Sequence, residues 1–262
     1  MVVDCCKPRL GFEVASLSDI GLQRGNNEDS YLYWEPEAEA DFEKKGRLGV
    51  IADGMGGYEG GQEASRIAVQ TVREAYAAAR SNDPKISLHE AFILAHANIQ
   101  RYAREHIELQ GMGTTCTALA ILDRQLFFAH VGDSRLYLVR NRTVSKLTRD
   151  HSYVSRLVES GIVRLEDAET HPQRHILMAA LGSGSEVVPD ISPKPHLLQD
   201  DDVLILCTDG LWGQVTEKEL VLAVEGASPQ QTCLALVKLA LERGGPDNIT
   251  VQVLRCQPGT SG

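Results

Sequence analysis

The sequence predicts an α+β fold, and three observations carry the prediction. Short continuous apolar runs, bounded by glycine and turn residues and too short for helices, recur along the 262 residues and read as buried strands. Three of them, 116–122, 126–131 and 136–140, are joined by short polar turns and predict an antiparallel meander. Other segments place their apolar residues at helical spacing.

Taken in order, residues 12–17 alternate as a first strand and 31–34 as a second. The polar, turn-rich stretch between them sets Arg24 close to Glu28 and Asp29. The acidic run 35–45 lacks periodicity and reads as a solvated loop. Residues 48–52 form a buried strand, which puts Asp53 at a strand tip before the loop Gly54-Met55-Gly56-Gly57. Ala64, Ile67, Ala68, Val72, Ala75, Tyr76 and Ala79 then predict an amphipathic helix. A second helix is expected to open at Ser87, with Glu90 completing a capping box, and to end near Gly111. Its His89, His96 and His106 read as surface or core-edge residues.

After the meander a further strand follows the turn at Asn141-Arg142. Residues 149–195 differ in character, with His151, His171 and His175, a short helix over 153–160 stopped by Gly161, and few long apolar runs. They read as a mobile excursion of the kind that serves as a lid or substrate-selecting flap. Residues 203–207 restore strand. A capping box at Thr216 and Glu219 opens a helix ending at Gly226, Ser228-Pro229 opens another that stops at Gly244-Gly245, and 249–254 is the closing strand. Without an internal repeat or linker, 1–262 reads as one domain with its flap at about 149–195.

A formal net charge of −10 repels nucleic-acid backbones and acidic lipid surfaces, so neither is an expected partner. No apolar run reaches the roughly 18 residues of a membrane span, and no signal peptide opens the chain, so a soluble intracellular protein is expected. The six cysteines have no Cys-x-x-Cys spacing; Cys207 and Cys233 read as small buried hydrophobes, and a reducing compartment is expected.

Asp53, Asp133 and Asp209 each end an apolar run and Asp247 precedes one. Any one of them suits ordinary turn chemistry, but together they imply convergence on one place. Carboxylates without histidine or cysteine select hard divalent ions such as Mg2+ or Mn2+ over zinc. Two such ions around a shared hydroxide suit in-line attack on phosphorus, and an arginine fork holds the phosphate. Arg24 is placed for that role. A dinucleotide reading of Gly54-Met55-Gly56 fails because Glu59 stands at the third glycine, and no P-loop is present.

With Arg24-Gly25-Asn26-Asn27-Glu28-Asp29-Ser30, Asp53-Gly54-Met55-Gly56-Gly57, Gly113-Thr114-Thr115, Gly132-Asp133-Ser134-Arg135, Asp209-Gly210-Leu211-Trp212 and Gly245-Pro246-Asp247-Asn248, the chain resembles the metal-dependent protein serine/threonine phosphatases of the PP2C (PPM) type in their compact bacterial form. The resemblance implies two packed antiparallel sheets flanked by helices, with two or three Mn2+ or Mg2+ ions in a cleft at one end. Asp53 would bridge two metals with help from the Gly54 carbonyl. Glu28, Asp209 and Asp247 would hold the second, directly or through water, with Asp29 in support. Asp133 would serve a third, and Arg24 would bind the phosphate.

The implied activity is hydrolysis of phosphoserine and phosphothreonine by a metal-bridging hydroxide. Phosphorylated proteins and a serine/threonine kinase with its substrates would be the partners of a cytoplasmic monomer. A catalytically silent phosphoprotein-binding module and a small-molecule phosphomonoesterase are the alternatives. Met55 and Tyr58 replace the usual histidine positions, which leaves the general acid open among Tyr58, His151, His171 and water. Asp133 also suits a hairpin turn, Asp29 a carboxylate that orients Glu28 or a water, and Trp212 core packing.

Overall fold

The strands sort into two antiparallel sheets because most of them are apolar on both faces. The structure, a computed structural model, describes residues 3–4, 8–56, 60–168, 171–174, 176–184 and 186–258. In chain order its elements are β1 (Phe12–Asp19), β2 (Asp29–Trp34), α1 (Glu39–Lys45), β3 (Arg47–Met55), α2 (Gly60–Ala78), α3 (Pro84–Glu105), β4 (Gly113–Thr114), β5 (Cys116–Leu122), β6 (Gln125–Val131), β7 (Arg135–Arg140) and β8 (Thr143–Lys146). They continue with α4 (Tyr153–Glu159), α5 (Leu165–Ala168), β9 (Asp190–Ile191), β10 (His196–Leu197), β11 (Val203–Cys207), α6 (Asp209–Trp212), α7 (Glu217–Val224), α8 (Pro229–Glu242) and β12 (Ile249–Cys256).

One sheet runs β1-β12-β11-β7-β8 and the other β10-β6-β5-β3-β2, with β4 on β3 and β9 on β6. Between the sheets, Ile51, Leu119 and Leu126 meet Leu136, Leu204 and Leu254. On the outer face of one sheet, Leu48, Val50 and Ala52 pack on Ala68 and Val72 of α2 and Phe92 and Ile99 of α3. On the outer face of the other, Ile205, Val251 and Val253 pack on Leu236, Val237 and Ala240 of α8. The expected helix–sheet–sheet–helix sandwich is therefore present. Burial on both faces explains why β3 and β11 read as unbroken apolar runs.

Several local expectations are corrected. The meander holds for β5 and β6, where Ala118 faces Ala129, but β7 crosses to the other sheet and pairs with β11 and β8. Gly132 makes that crossing at φ +109°, and a Cβ there would lie 2.5 Å from the Thr115 Cβ. A crossover through Gly-Asp-Ser spells the same as a hairpin turn.

The acidic run 35–45 is not a loop throughout: it contains α1, whose Lys45 Nζ donates to the carbonyls of Ala79 (2.6 Å) and Ser81 (2.9 Å) just past α2. The second helix starts earlier than Ser87, with Asp83 as cap and Pro84 in its first turn, and it ends at Glu105 rather than near Gly111. Pro84 reads as a breaker yet is ideal at this position. The segment 149–195 is an excursion only in part, because Ala180, Leu181 and Ser192 are buried and β9 pairs with β6. Cys5, Cys6, Tyr58 and His175 lie outside the described residues.

Candidate active site

Asp53 does not end its strand. It pairs with Asp29 across β3 and β2, and β3 continues to Met55. The Asp53 backbone N–H donates to Thr115 Oγ1 (3.0 Å), and its carbonyl accepts from Thr115 N (2.9 Å) and Thr114 Oγ1 (2.8 Å). Thr115 Oγ1 also lies 2.8 Å from Ser134 Oγ, so the loop carrying Asp133 is tied to the same point. Trp212 Nε1 donates to the Asp133 carbonyl at 2.9 Å. The indole therefore both packs and positions, where core packing alone was expected.

Two close backbone approaches bring the remaining carboxylates in. A Cβ on Gly54 would lie 2.0 Å from the Gly61 carbonyl oxygen, which is how the first turn of α2 reaches β3. A Cβ on Gly210 would lie 1.9 Å from the Asn248 carbonyl oxygen, which sets Asp209, the first residue of α6, beside Asp247. Asn248 locks the loop before β2: its Nδ2 donates to the Ile20 and Asn26 carbonyls, each at 2.9 Å, and its Oδ1 accepts from Glu28 N at 2.8 Å.

Arg24, Glu28, Asp53, Gly54, Asp133, Asp209 and Asp247 thus line one cleft of about 720 Å³, together with Met55, Arg174, Leu177 and Gln214. Asp29 is not on its wall but lies behind it, accepting from Thr208 Oγ1 at 2.9 Å, while its Oδ1 is buried without a partner. Arg24, expected near Glu28, donates through Nη2 to Asp247 Oδ2 at 2.7 Å from a half-exposed position.

Burial, reinforced by Asp29, Asp209, Asp133 and Asp247, pushes the Asp53 carboxyl well above its ordinary range. Burial and then Asp209 do the same to Asp133. Asp29 is pushed up to about 7, chiefly by burial, against hydrogen bonds from Thr250 and Thr208. Burial also raises Glu28, opposed by Arg24. A buried anionic wall this poor in cations is relieved only by protons or metal ions.

The donor set is all oxygen, which fits Mg2+ or Mn2+. Among the described residues no three His, Cys, Asp or Glu side chains close into a metal cage by themselves. Ions that keep several waters and take one or two carboxylates each need no such cage.

The family described as protein phosphatase 2C matches the chain over residues 25–233. The chain belongs to the protein phosphatase 2C family. It is 34% identical over 239 residues to the serine/threonine protein phosphatase PstP of Mycobacterium tuberculosis, covering 91% of this chain and 44% of that protein, so it spans less than half of that relative. It is 34% identical over 248 residues to the protein phosphatase PhpP of Streptococcus pneumoniae, covering 92% of this chain and 96% of that one.

The crystal structure of the Mycobacterium tuberculosis PstP superposes with a TM-score of 0.84 at 33% identity, covering 95% of this chain and all of that one. A structure of the PstP catalytic domain in complex with two manganese ions superposes at 0.81 and 31% identity, covering 95% and 99%.

Within this protein phosphatase 2C fold, His151 and His171 do not line the cleft. His151 Nδ1 accepts from Gly132 N (3.3 Å) and its Nε2 faces Asp190 (3.1 Å), while His171 Nδ1 accepts from Gln173 N (3.1 Å). Arg174 and Leu177 on the cleft wall had no signal in the sequence, since neither belongs to a motif or a periodic segment.

Proposed function

We propose that the protein is a Mn2+- or Mg2+-dependent phosphatase that hydrolyses phosphoserine and phosphothreonine on proteins. The observation that carries this reading is the convergence of Glu28, Asp53, Asp133, Asp209 and Asp247 on one cleft with Arg24 at its rim. Asp53 would serve both ions, one of them with help from the Gly54 carbonyl, Glu28, Asp209 and Asp247 would hold the second with Asp29 in support, and Asp133 would hold a third. When bound, such ions supply a nucleophile at neutral pH and neutralise charge on the phosphoryl oxygens. Arg24 meets the phosphoryl group bidentately from the rim.

Thr115 and Trp212 fix where Asp53 and Asp133 stand, so the carboxylates are positioned before substrate arrives. Met55 has no proton to give, and none of the described cleft residues is a histidine, so protonation of the leaving oxygen falls to Tyr58 or a water. The chain acts as one domain, as a monomer in the cytoplasm, opposite a serine/threonine kinase. In support, no described helix is long and apolar enough to cross a membrane.

The test is hydrolysis of a phosphothreonine peptide with Mn2+, with EDTA, and by Asp209→Ala protein whose circular dichroism matches wild type. Metal-dependent turnover lost in both treatments supports the reading. Binding of phosphopeptide without turnover points to the silent module, and turnover of phosphorylated metabolites alone to the small-ester enzyme.

A further inference from the structure

Beside the cleft lies a second groove, of about 500 Å³, that no part of the proposed chemistry uses. It runs between the flap helices α4 and α5 and the β7–β8 side of the sheet. Val154, Val158, Leu165 and Ala168 supply one wall and the Trp212 ring the other. Its volume falls in the roughly 300–1,000 Å³ range of ligand sites.

The floor of the groove is built rather than incidental. Arg135 lies 3.6 Å from the centre of the Trp212 ring and is fixed by Asp150, with Nη2 to Oδ2 at 2.7 Å and Nε to Oδ1 at 3.1 Å. Its Nη1 donates to Tyr137 Oη at 3.0 Å. Arginine and aspartate are both under a tenth exposed, so this side of the groove is held rigid. The groove is also continuous with the catalytic cleft, because Arg174 lines both and Trp212, which walls the groove, holds the Asp133 carbonyl.

Leu165 is 77% exposed, an apolar side chain that the fold itself does not cover. The charged lining comprises Arg135, Lys146, Arg149 and Arg174 against Asp150, Glu159 and Glu217, a local excess of one positive charge in a chain of net −10. A basic side chain would gain nothing there.

We infer that this groove is a substrate subsite: it takes an apolar side chain of the phosphoprotein a few residues from the phosphoserine or phosphothreonine held in the cleft. The inference rests on the phosphatase reading above and names the sequence preference that site would show. A substrate chain advances about 3.3 Å per extended residue, so a neighbouring side chain reaches a groove that shares Arg174 with the cleft. Specificity is then set by flap residues, and the metal site remains indifferent to sequence.

The experiment compares p-nitrophenyl phosphate, which fills only the cleft, with phosphothreonine peptides that carry leucine or lysine at each position within three residues of the phosphothreonine. It uses the full chain with Mn2+, as wild type, Val158→Asp, Leu165→Asp and, as a surface control on α7, Leu222→Asp. The wild type should favour leucine over lysine at one flanking position by roughly tenfold in kcat/KM, the scale of filling an apolar pocket. Val158→Asp and Leu165→Asp should each cut that preference several-fold through KM, read as the ratio of peptide to p-nitrophenyl phosphate kcat/KM, and Leu222→Asp should keep it.

Equal turnover of all peptides by the wild type, or a preference unchanged in both groove variants, would overturn the subsite while leaving the phosphatase intact. Absence of Mn2+-dependent turnover of p-nitrophenyl phosphate and of every peptide would overturn the phosphatase reading, and the subsite with it.

Discussion

Replacing Asp150 by alanine strands a buried cation. Arg135 Nη2 stands 2.7 Å from Asp150 Oδ2, Lys146 Nζ stands 3.2 Å from Oδ1, and Arg135 and Asp150 are 9% and 8% exposed. Removing one partner of a buried pair costs about 3–5 kcal/mol, because the other charge stays desolvated. Arg135 keeps the Tyr137 hydroxyl and the face of Trp212, so the low end applies, about 3 kcal/mol. For a chain of this size each kcal/mol moves Tm by about 2–4 °C, giving a fall of about 6–12 °C.

The pH dependence has a definite sign. Burial alone would raise the Asp150 carboxyl, but Arg135 and then Lys146 hold it below its ordinary value of 3.8. A carboxyl depressed on folding stabilises above its unfolded pKa and loses that contribution as pH falls through the folded one. The gap in Tm between wild type and Asp150→Ala should therefore be the same at pH 7 and pH 5 and narrow only below about pH 4. Thermal melts followed by circular dichroism read both quantities. A fall smaller than about 3 °C at pH 7 would refute the claim that this pair is buried and coupled.

Other outcomes follow from the cleft. With EDTA present, stability should rise as pH falls from 8 to 6, since Asp29 is pushed up to about 7 and Asp53 is also raised, so the folded state binds protons that the unfolded state releases; Mn2+ should flatten the slope in denaturant titrations. Asp53→Asn should abolish metal-dependent turnover yet raise the Tm of the metal-free protein at pH 8, because it removes a buried charge repelled by four others. Arg24→Ala should raise KM for phosphopeptide about tenfold, a modest loss for a half-exposed arginine, while retaining Mn2+ affinity by calorimetry. Gly210→Ala, whose Cβ would meet the Asn248 carbonyl at 1.9 Å, should displace Asp209 and weaken Mn2+ binding at least tenfold in the same titration.

What the sequence carried and what it hid divide along a physical line. Strands buried on both faces announce themselves as unbroken apolar runs, and Thr216 with Glu219 and Ser228 with Pro229 announce helix starts, so the strands and helices could be read in advance, while their stacking in four layers was implied only by the family resemblance. The cleft carboxylates were legible for a related reason: an aspartate that closes an apolar run is anomalous enough to be noticed when the pattern repeats. Which sheet a strand joins is another matter. β6 and β7 look like a hairpin because local spelling fixes the turn at Gly132 but not the layer that receives the next strand, which depends on Leu136 and Leu138 packing between the sheets.

The same limit hid α1. Its one aromatic side chain, the half-buried Phe42, is held under the guanidinium groups of Arg9 and Arg47, and a helix stabilised by such long-range cation–π contacts shows no periodicity of its own. It hid Arg174 and the groove as well, because a residue becomes part of a site through what stands opposite it. Trp212 makes the point from the other side. It sits in a motif whose aspartate drew the attention, yet its indole joins the Asp133 carbonyl, the buried Arg135–Asp150 pair and the groove wall. A single side chain thus couples the position of a cleft carboxylate to the surface where substrate sequence would be read.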